Sequence, residues 1–304
     1  MSAIPDVVIL GGGSGGYACA FRASQLGMSV TLIEKDKVGG TCLHRGCIPT
    51  KALLHCAEVA DTARDSEEVG VRSSFDGIDM AGVHSYKDGV VTKLYKGLQG
   101  LVAAHKIELI SGTGTYVGER TVEVDGRRIT GKSVVLATGS HAKVLPGIEL
   151  GPRVFTSDRA LTLDTVPTRA IVLGGGVIGV EFASVWASFG VDVTIVEALP
   201  RLVAGEDEWS SKQLTRAFRK RGITAKTSSP FTGVKEARDG VSVTLASGET
   251  LDADVLLVAV GFFVYEVILS AQQIPMVENS RAAAVFGQLT QSFTTEEPQA
   301  ALAW

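Results

Sequence analysis

The sequence predicts an α/β protein built from two similar parallel-sheet units, with a short antiparallel segment between them. Three observations predict this class. A pattern of strand, glycine-rich turn, helix and strand occurs twice, the apolar runs before both turns are typical of buried strands, and short strand-like segments separate the two copies. The 304 residues are enough for about two domains.

The repeat is the first element. Its first copy, Val7–Glu34, has the sequence VVILGGGSGGYACAFRASQLGMSVTLIE, and its second, Ala170–Glu197, has AIVLGGGVIGVEFASVWASFGVDVTIVE. Shifted by 163 positions, the copies align without a gap, and their turn glycines and final glutamates coincide. In each copy a buried parallel strand leads through the turn into a helix, which ends at Gly27 or Gly190 before a second strand.

Both turns follow the pattern G-x-G-x-x-G. Its glycines permit a sharp turn, let the backbone approach a pyrophosphate and let the helix pack on the strand. The helix N-terminus then offers N–H groups to phosphates, and the final glutamate accepts hydrogen bonds from ribose hydroxyls. One copy alone is equally typical of an ordinary glycine-rich turn. Two complete copies predict two Rossmann-like dinucleotide-binding domains of the FAD/NAD(P)-binding fold, with two dinucleotides or with one site and a relic of another.

The acid that closes the second copy discriminates between nicotinamide cofactors. A carboxylate at Glu197 pairs with a free ribose 2′-hydroxyl and repels a 2′-phosphate. No arginine or lysine follows it until Arg201. The second unit is therefore predicted to bind NAD rather than NADP.

The segment between the copies is predicted to hold one helix and a small β-meander. Apolar spacing predicts a helix over Val83–Lys106. Strands are predicted over Ile107–Tyr116, Thr121–Val124 and Ser133–Leu136, with turns at Gly118 and at Asp125-Gly126.

Two short glycine-containing stretches follow this meander. Ala137-Thr138-Gly139, directly after a strand, is a second place where backbone could approach a ligand. Pro146-Gly147 and Gly151-Pro152 predict the crossing from the first domain to the second.

Composition excludes several classes of function. A net charge of −4 with mixed signs gives no reason to expect nucleic acid or an acidic membrane surface as partner. No targeting signal is visible, and runs such as Val255–Val260 are far shorter than a membrane span. Four cysteines do not make a secreted disulfide scaffold, so a cytoplasmic protein is expected.

The segment Gly39–Lys51, GGTCLHRGCIPTK, carries two of those cysteines. Cys42 and Cys47 are predicted to lie across a turn that enters a helix continued by Ala52–Ala60. A thiol near a helix N-terminus has a lowered pKa, and the thiolate is the form that attacks disulfides. Two buried reduced cysteines, or half of a metal site, fit the same spacing, so these alternatives stay open on the spacing alone.

This segment resembles the active-site segment of the flavoprotein disulfide reductases, most closely that of the dihydrolipoamide dehydrogenases. Glutathione and mercuric reductases share the frame GGTC-x4-C-x-P-x-K. The NAD-type second turn ending at Glu197 argues against the NADPH-using members. The resemblance covers about Ile4–Gly261, with motifs of three kinds in the family's order.

The resemblance implies a role for each matching position. Cys42 would be the interchange thiol that meets substrate, and Cys47 the charge-transfer thiol against the flavin. Lys51 and Glu181 would form an ion pair near the flavin and belong to the catalytic set. The FAD positions would be Gly11, Gly13, Gly16, Glu34, Lys35, Thr41, Lys51, Gly114, Thr138 and Gly139. The NAD positions would be Gly174, Gly176, Gly179, Glu181, Glu197 and Gly261.

The implied reaction passes electrons from a dithiol, such as dihydrolipoamide, through the Cys42–Cys47 disulfide and FAD to NAD. The implied partners are a small dithiol or a lipoyl-bearing domain, and the family is homodimeric. No metal is expected. Cys19 and Cys56 are predicted to be small apolar residues, and His44 is given no catalytic role.

The sequence departs from the family after Gly261. The family continues with an arginine, an FAD-binding segment ending in Gly-Asp and an interface domain carrying a His–Glu pair. Phe262–Trp304 contains no Gly-Asp, and all five histidines lie before it. A truncated, frameshifted or rearranged reading frame is expected, without the interface domain, and with a tail that is disordered or forms a makeshift helix near Ser280–Leu289.

The predicted domains are therefore an FAD-binding domain with the redox-active cysteines over residues 1–147, an NAD-binding domain over 148–261, and a non-family tail over 262–304. Weak or absent turnover is expected for this chain alone. A non-catalytic NAD-binding fragment stays open as an alternative, as does another disulfide reductase of the mycothiol or mercuric type.

Overall fold

The computed structural model describes residues 4–264 and divides them into two compact units. The first unit contains residues 4–42 and 94–139. The second contains residues 43–93 and 140–264. Each unit is built around one parallel sheet; the first carries one small antiparallel sheet and the second carries two.

The first unit contains a four-stranded parallel sheet in the order β3-β2-β1-β7. Its strands are β1 (Val7–Leu10), β2 (Val30–Glu34), β3 (Glu108–Ser111) and β7 (Ser133–Leu136). The central strand β1 is buried along its whole length, as a strand with neighbours on both edges and layers on both faces requires. Helix α1 (Ser14–Gln25) is the crossover between β1 and β2, and the chain leaves it through Gly27 at φ +78°.

A three-stranded antiparallel meander completes this unit, with β4 (Gly114–Gly118), β5 (Thr121–Val124) and β6 (Arg127–Thr130). Asp125 and Gly126 both have positive φ, as the predicted tight hairpin turn requires. The predicted single strand Ile107–Tyr116 is wrong. Gly112, at φ +152°, donates its N–H to the Glu34 carbonyl, and this bond divides the segment between the two sheets.

Three α-helices lie between β2 and β3 in the sequence. They are α2 (Gly40–Arg45), α3 (Cys47–Asp65) and α4 (Met80–Ala104), with a 3₁₀ turn at Ser66–Val69 after α3. The predicted helix Val83–Lys106 corresponds to α4, which begins three residues earlier and ends two residues earlier. The unit limits fall inside α2 and α4.

The second unit repeats the plan with a five-stranded parallel sheet in the order β12-β11-β10-β16-β9. The strands of this sheet are β9 (Val154–Thr156), β10 (Arg169–Leu173), β11 (Asp192–Val196), β12 (Thr224–Lys226) and β16 (Val255–Val258). Its helices are α5 (Ser157–Ala160), α6 (Val177–Ser188) and α7 (Glu208–Lys220). A second meander consists of β13 (Phe231–Glu236), β14 (Val241–Leu245) and β15 (Thr250–Ala253).

Helix α3 belongs to the second unit because it packs into the core of that unit. Leu53 and Ala57 of α3 pack into the same buried cluster as Phe182 and Trp186 of α6. The helix that carries Cys47 is thereby fixed to the helix that follows the second glycine turn.

A short antiparallel pair closes the described chain. Strand β8 (Ser140–Ala142) pairs with β17 (Phe262–Val264). The prediction of a disordered or helical tail from residue 262 is therefore wrong for its first three residues, because their backbone pairs with β8. The rest of that prediction, including the helix near Ser280–Leu289, lies outside the described residues. No helix within 4–264 has the length and apolar character needed to cross a membrane.

Candidate functional site

The two glycine turns have the same backbone geometry. Gly11 and Gly174 have φ values of +105° and +108°, which a residue with a side chain rarely adopts. The N–H of Gly11 donates to the Ile33 carbonyl at 2.8 Å, and the N–H of Gly174 donates to the Val196 carbonyl at 2.8 Å. Each turn is thus tied to the end of the neighbouring strand, and the repeat seen in the sequence is also a repeat in structure.

The third glycine of each turn is required by packing inside the protein. A Cβ atom at Gly16 would lie 1.8 Å from the Gly11 carbonyl oxygen, and one at Gly179 would lie 1.9 Å from the Gly174 carbonyl oxygen. Both neighbours are backbone and cannot move aside. These glycines let the helix start directly against the turn.

The middle glycine of each turn has a different environment. A Cβ at Gly176 would meet nothing within 4 Å, and one at Gly13 would meet only the Gly40 Cα at 3.8 Å. These residues are the N-caps of α6 and α1, and neither helix start is capped by a side chain. The open space, with N–H groups facing it, fits a phosphate-bearing ligand.

The acid at the end of each repeat is held beside its turn. Glu34 Oε2 accepts from the Gly12 N–H at 2.6 Å, and Glu197 Oε2 accepts from the Gly175 N–H at 2.6 Å. The second carboxylate oxygen of Glu197 accepts from the Leu199 N–H at 2.8 Å. Both carboxylates are therefore fixed at the carboxyl edge of their sheets, where α/β folds bind ligands.

The start of the cysteine segment packs against the first glycine turn. The N–H of Gly39 donates to the Gly12 carbonyl at 2.8 Å. Gly40 has φ +58°, and a Cβ there would lie 2.6 Å from the Gly13 Cα. This contact places α2, with Thr41 and Cys42, directly after the turn. This contact was not predicted from the sequence, although two consecutive glycines before Thr41 could have indicated it.

The predicted turn between the two cysteines is wrong. Cys42 lies inside α2, and Cys47 is the first residue of α3. Only Gly46 between them is not helical, with φ −145° and ψ −113°. Cys42 is half-buried and Cys47 is exposed. Cys47 has the helix N-terminal position that favours a thiolate.

The other two cysteines have the environment of apolar residues. Burial raises the pKa of the Cys19 thiol to about 11, and it also raises the pKa of Cys56. A thiol with a raised pKa is a poor nucleophile at neutral pH. Their positions on α1 and α3 agree with the prediction that they are packing residues.

Lys51 and Glu181 form the expected ion pair. The Lys51 Nζ lies 2.5 Å from Glu181 Oε1, and the two residues are 130 positions apart in the sequence. The side chain of Lys51 is 50% exposed and that of Glu181 is 20% exposed. The pair joins α3 to α6 one turn beyond Cys47, at the surface rather than in the interior.

Lys51→Met is expected to lower the free energy of unfolding by less than about 1 kcal/mol, because half-exposed ion pairs contribute little. Urea unfolding followed by circular dichroism measures the change. Lys220→Met, at an exposed lysine on α7, is the control. A loss of about 3 kcal/mol or more would show that the pair behaves as a buried one.

The remaining predicted cofactor positions lie at the edges of the two sheets. Gly114 packs on the side chains of Leu10 and Ile33, which explains the glycine without a ligand. Thr138 and Gly139 are exposed after β7, and Lys35 is exposed beside Glu34. Gly261 is also exposed, at φ +115°, and its carbonyl accepts from the Lys143 N–H.

One polar cluster was not predicted. Asp61, Ser188 and Arg221 come from α3, α6 and the end of α7 and contact one another directly. Their separations of 33 to 160 residues leave no local signal in the sequence. Among the described residues, no group of three or more His, Cys, Asp or Glu side chains is placed to hold a metal ion.

Comparison with known proteins gives the family. Residues 5–285 match the family described as pyridine nucleotide-disulphide oxidoreductase, so the match runs beyond Gly261. The chain is 38% identical over 263 residues to dihydrolipoyl dehydrogenase of Geobacillus stearothermophilus, covering 84% of this chain and 56% of that protein. It is 39% identical over 269 residues to leghemoglobin reductase of Vigna unguiculata, covering 84% and 51%. The chain spans little more than half the length of these relatives.

Solved structures agree with this assignment. The HOCl-induced flavoprotein disulfide reductase RclA of Escherichia coli is 29% identical, with a TM-score of 0.74 over 91% of this chain and 61% of that one. LpdA of Mycobacterium tuberculosis, at 23% identity and a TM-score of 0.80, shares the fold over 92% of this chain and 63% of its own. This chain therefore belongs to the pyridine nucleotide-disulphide oxidoreductase family.

Proposed function

We propose that this chain is the cofactor-binding part of a disulfide oxidoreductase that oxidises a dithiol of the dihydrolipoamide class, using FAD and NAD. The observation that carries the proposal is the contact between Gly40 and the first glycine turn. It puts the segment leading to Cys42 beside the space that a dinucleotide phosphate fits. Cys42 and a nucleotide site would thus be parts of one local structure.

The first glycine turn would hold FAD. The open space at Gly13 and the uncapped start of α1 fit its pyrophosphate, and Glu34 would accept from its ribose. Further backbone and side-chain contacts would come from the remaining predicted positions, which are Gly11, Gly16, Lys35, Thr41, Lys51, Gly114, Thr138 and Gly139. When bound, the flavin supplies two-electron redox chemistry between thiols and nicotinamide.

The second turn would hold NAD through Gly174, Gly176, Gly179, Glu181, Glu197 and Gly261. Arg201, the first cation after Glu197, donates to the carbonyls of Glu206 and Ala204 at 2.8 Å each. A guanidinium committed to two carbonyls is poorly placed to bind a 2′-phosphate. This contact, together with the carboxylate of Glu197, supports NAD over NADP.

The chain's own chemistry would be thiol–disulfide exchange at the two cysteines. A substrate thiolate attacks the Cys42 sulfur of a Cys42–Cys47 disulfide, and Cys47 leaves as a thiolate. The second substrate thiol loses its proton to water and attacks the substrate sulfur of the mixed disulfide, which releases the cyclic or linear product disulfide and the Cys42 thiolate. The substrate loses two electrons and the cysteine pair gains them. The N-terminal position of Cys47 on α3 favours it as the leaving thiolate.

The domain assignment proposed with this function is an FAD-binding domain over residues 1–147 and an NAD-binding domain over 148–261. The proposed partner is a small dithiol or a lipoyl-bearing domain. The relatives at 38–39% identity carry the names dihydrolipoyl dehydrogenase and leghemoglobin reductase. Another disulfide reductase, of the mycothiol or mercuric type, is the second candidate, and the mercuric reductases share the cysteine frame.

Thiol counting tests the proposed cysteine pair. Native protein is treated with a dithiol, the dithiol is removed, and exposed thiols are titrated before and after. The titration is expected to show the thiols of both Cys42 and Cys47 only after reduction, and peptide mapping is expected to show the two linked before it. Cys56→Ala is the matched control and keeps this behaviour, whereas Cys42→Ser and Cys47→Ser abolish it. Equal thiol counts before and after reduction in the unaltered chain would contradict the proposal.

A further inference from the structure

Helices α3 and α6 lie side by side and run in the same direction. Near their starts, Lys51 of α3 meets Glu181 of α6. Near their ends, Asp61 of α3 meets Ser188, the last residue of α6. Cys47 and the second glycine turn, which precede these contacts on their own helices, therefore lie at the same end of the pair.

The far end of the pair is held by a cluster that we name the distal clamp, formed by Asp61, Arg64, Ser188 and Arg221. Ser188 Oγ donates to Asp61 Oδ2 at 2.6 Å and accepts from Arg221 Nη2 at 2.6 Å. Arg64 donates to Asp61 Oδ1 at 2.9 Å and to the Ser188 carbonyl. Arg221 also donates to the side chain of Ser184 at 2.6 Å and to its carbonyl at 3.2 Å.

Two features make this cluster more than a set of surface contacts. Ser188 is only 2% exposed, and its buried hydroxyl bridges the partly exposed side chains of Asp61 and Arg221. The two guanidinium groups lie at the C-terminal carbonyls of α6, where the helix dipole favours positive charge. Between the two ends the helices pack through buried apolar residues such as Ala57 and Trp186, and hydrogen bonds are more directional than these contacts.

We infer that the distal clamp sets the register of α3 against α6, and so positions Cys47 and Lys51 relative to the second glycine turn. Asp61, Ser188 and Arg221 are positioning residues, because they touch neither the cysteines nor the nucleotide turn. The inference deepens the proposed function, on which it rests for the roles of Cys47 and of that turn. The Lys51–Glu181 pair is a single ion pair with one half-exposed partner, whereas the clamp joins the two helices through several hydrogen bonds, one of them from the buried Ser188 hydroxyl.

Hydrogen exchange followed by mass spectrometry tests the register on the whole chain without added cofactor. In Ser188→Ala, protection is expected to fall by about tenfold or more in the second turns of α3 and α6, at residues 50–53 and 180–183, because these turns lose their axial restraint. Asp61→Asn is expected to give the same remote loss. Ser188→Thr keeps the hydroxyl and is expected to restore protection.

The control is Asp65→Asn, four residues after Asp61 on the same helix, at a carboxylate that lies outside the clamp. It is expected to leave both second turns protected. Loss of protection confined to the last turns of the two helices in Ser188→Ala and Asp61→Asn would overturn the inference and make the cluster a local cap. The exchange experiment uses no cofactor. Its result therefore does not depend on the result of the thiol titration, which tests the proposed function.

Discussion

Gly179→Ala is expected to lower the free energy of unfolding by about 3 kcal/mol, whereas Gly176→Ala is expected to lower it by less than about 1 kcal/mol. The difference follows from where each added methyl group goes. At Gly179 it meets a backbone carbonyl oxygen 1.9 Å away, and at Gly176 it enters open space. Urea unfolding of the two variants measures both values.

For NAD binding the order of the two variants is expected to be reversed, with the larger loss in Gly176→Ala. A methyl group at Gly176 occupies the space where the pyrophosphate would approach, so NAD affinity is expected to fall by about tenfold or more. In Gly179→Ala, the molecules that remain folded keep that space open. Equal losses of stability in the two variants would contradict the assignment of one glycine to packing and the other to the ligand.

Glu197→Gln is expected to reduce the preference for NAD over NADP by about tenfold. The carboxylate is held by the Gly175 and Leu199 N–H groups, so its negative charge has a fixed position beside the turn. Removing the charge weakens the hydrogen bonds to a ribose hydroxyl and ends the repulsion of a 2′-phosphate. Titration of the protein with each nucleotide, followed by calorimetry, gives the two Kd values.

Glu34→Gln is the matched control because Glu34 has the equivalent position in the first repeat and an equivalent bond to Gly12. It is expected to weaken FAD binding and to leave the NAD-to-NADP ratio unchanged. A changed NAD-to-NADP ratio in Glu34→Gln, with an unchanged ratio in Glu197→Gln, would show that the two sites have been assigned the wrong way round.

Much of the fold was predictable because the relevant signals are local. Thr121–Val124 and Ser133–Leu136 are strands with the predicted bounds. Each is a short apolar or alternating run bounded by turn residues, so burial and turn chemistry agree. The repeat then predicted which strands pair, because both copies make the same crossover from strand through helix to strand.

The errors arose where a long-range bond overrides a local pattern. The alternating run Ile107–Tyr116 looks continuous, but the bond from Gly112 to Glu34 divides it between two sheets. The helix around Cys42 is six residues long, too short for a periodic signal, and it depends on the contact between Gly40 and the glycine turn. Strand β17 was missed because its partner, β8, lies more than a hundred residues earlier.

The candidate site likewise combines features that local patterns predict with contacts that they do not predict. Spacing identified the glycine turns and their acids, but the role proposed for the cysteine pair and the contact of Lys51 with Glu181 came from the family resemblance. The distal clamp had neither source, because its residues are ordinary polar residues on three separate helices. A contact between side chains far apart in sequence is visible only once the helices are packed.

Anaerobic titration of the freshly isolated protein with a dithiol, after addition of FAD, tests the central claim most directly. We expect a bound flavin whose absorption band changes as dithiol is added, and a Cys47→Ser variant that binds FAD equally but does not respond. Failure of FAD to bind, or a flavin spectrum that dithiol leaves unaltered in the unsubstituted chain, would contradict it.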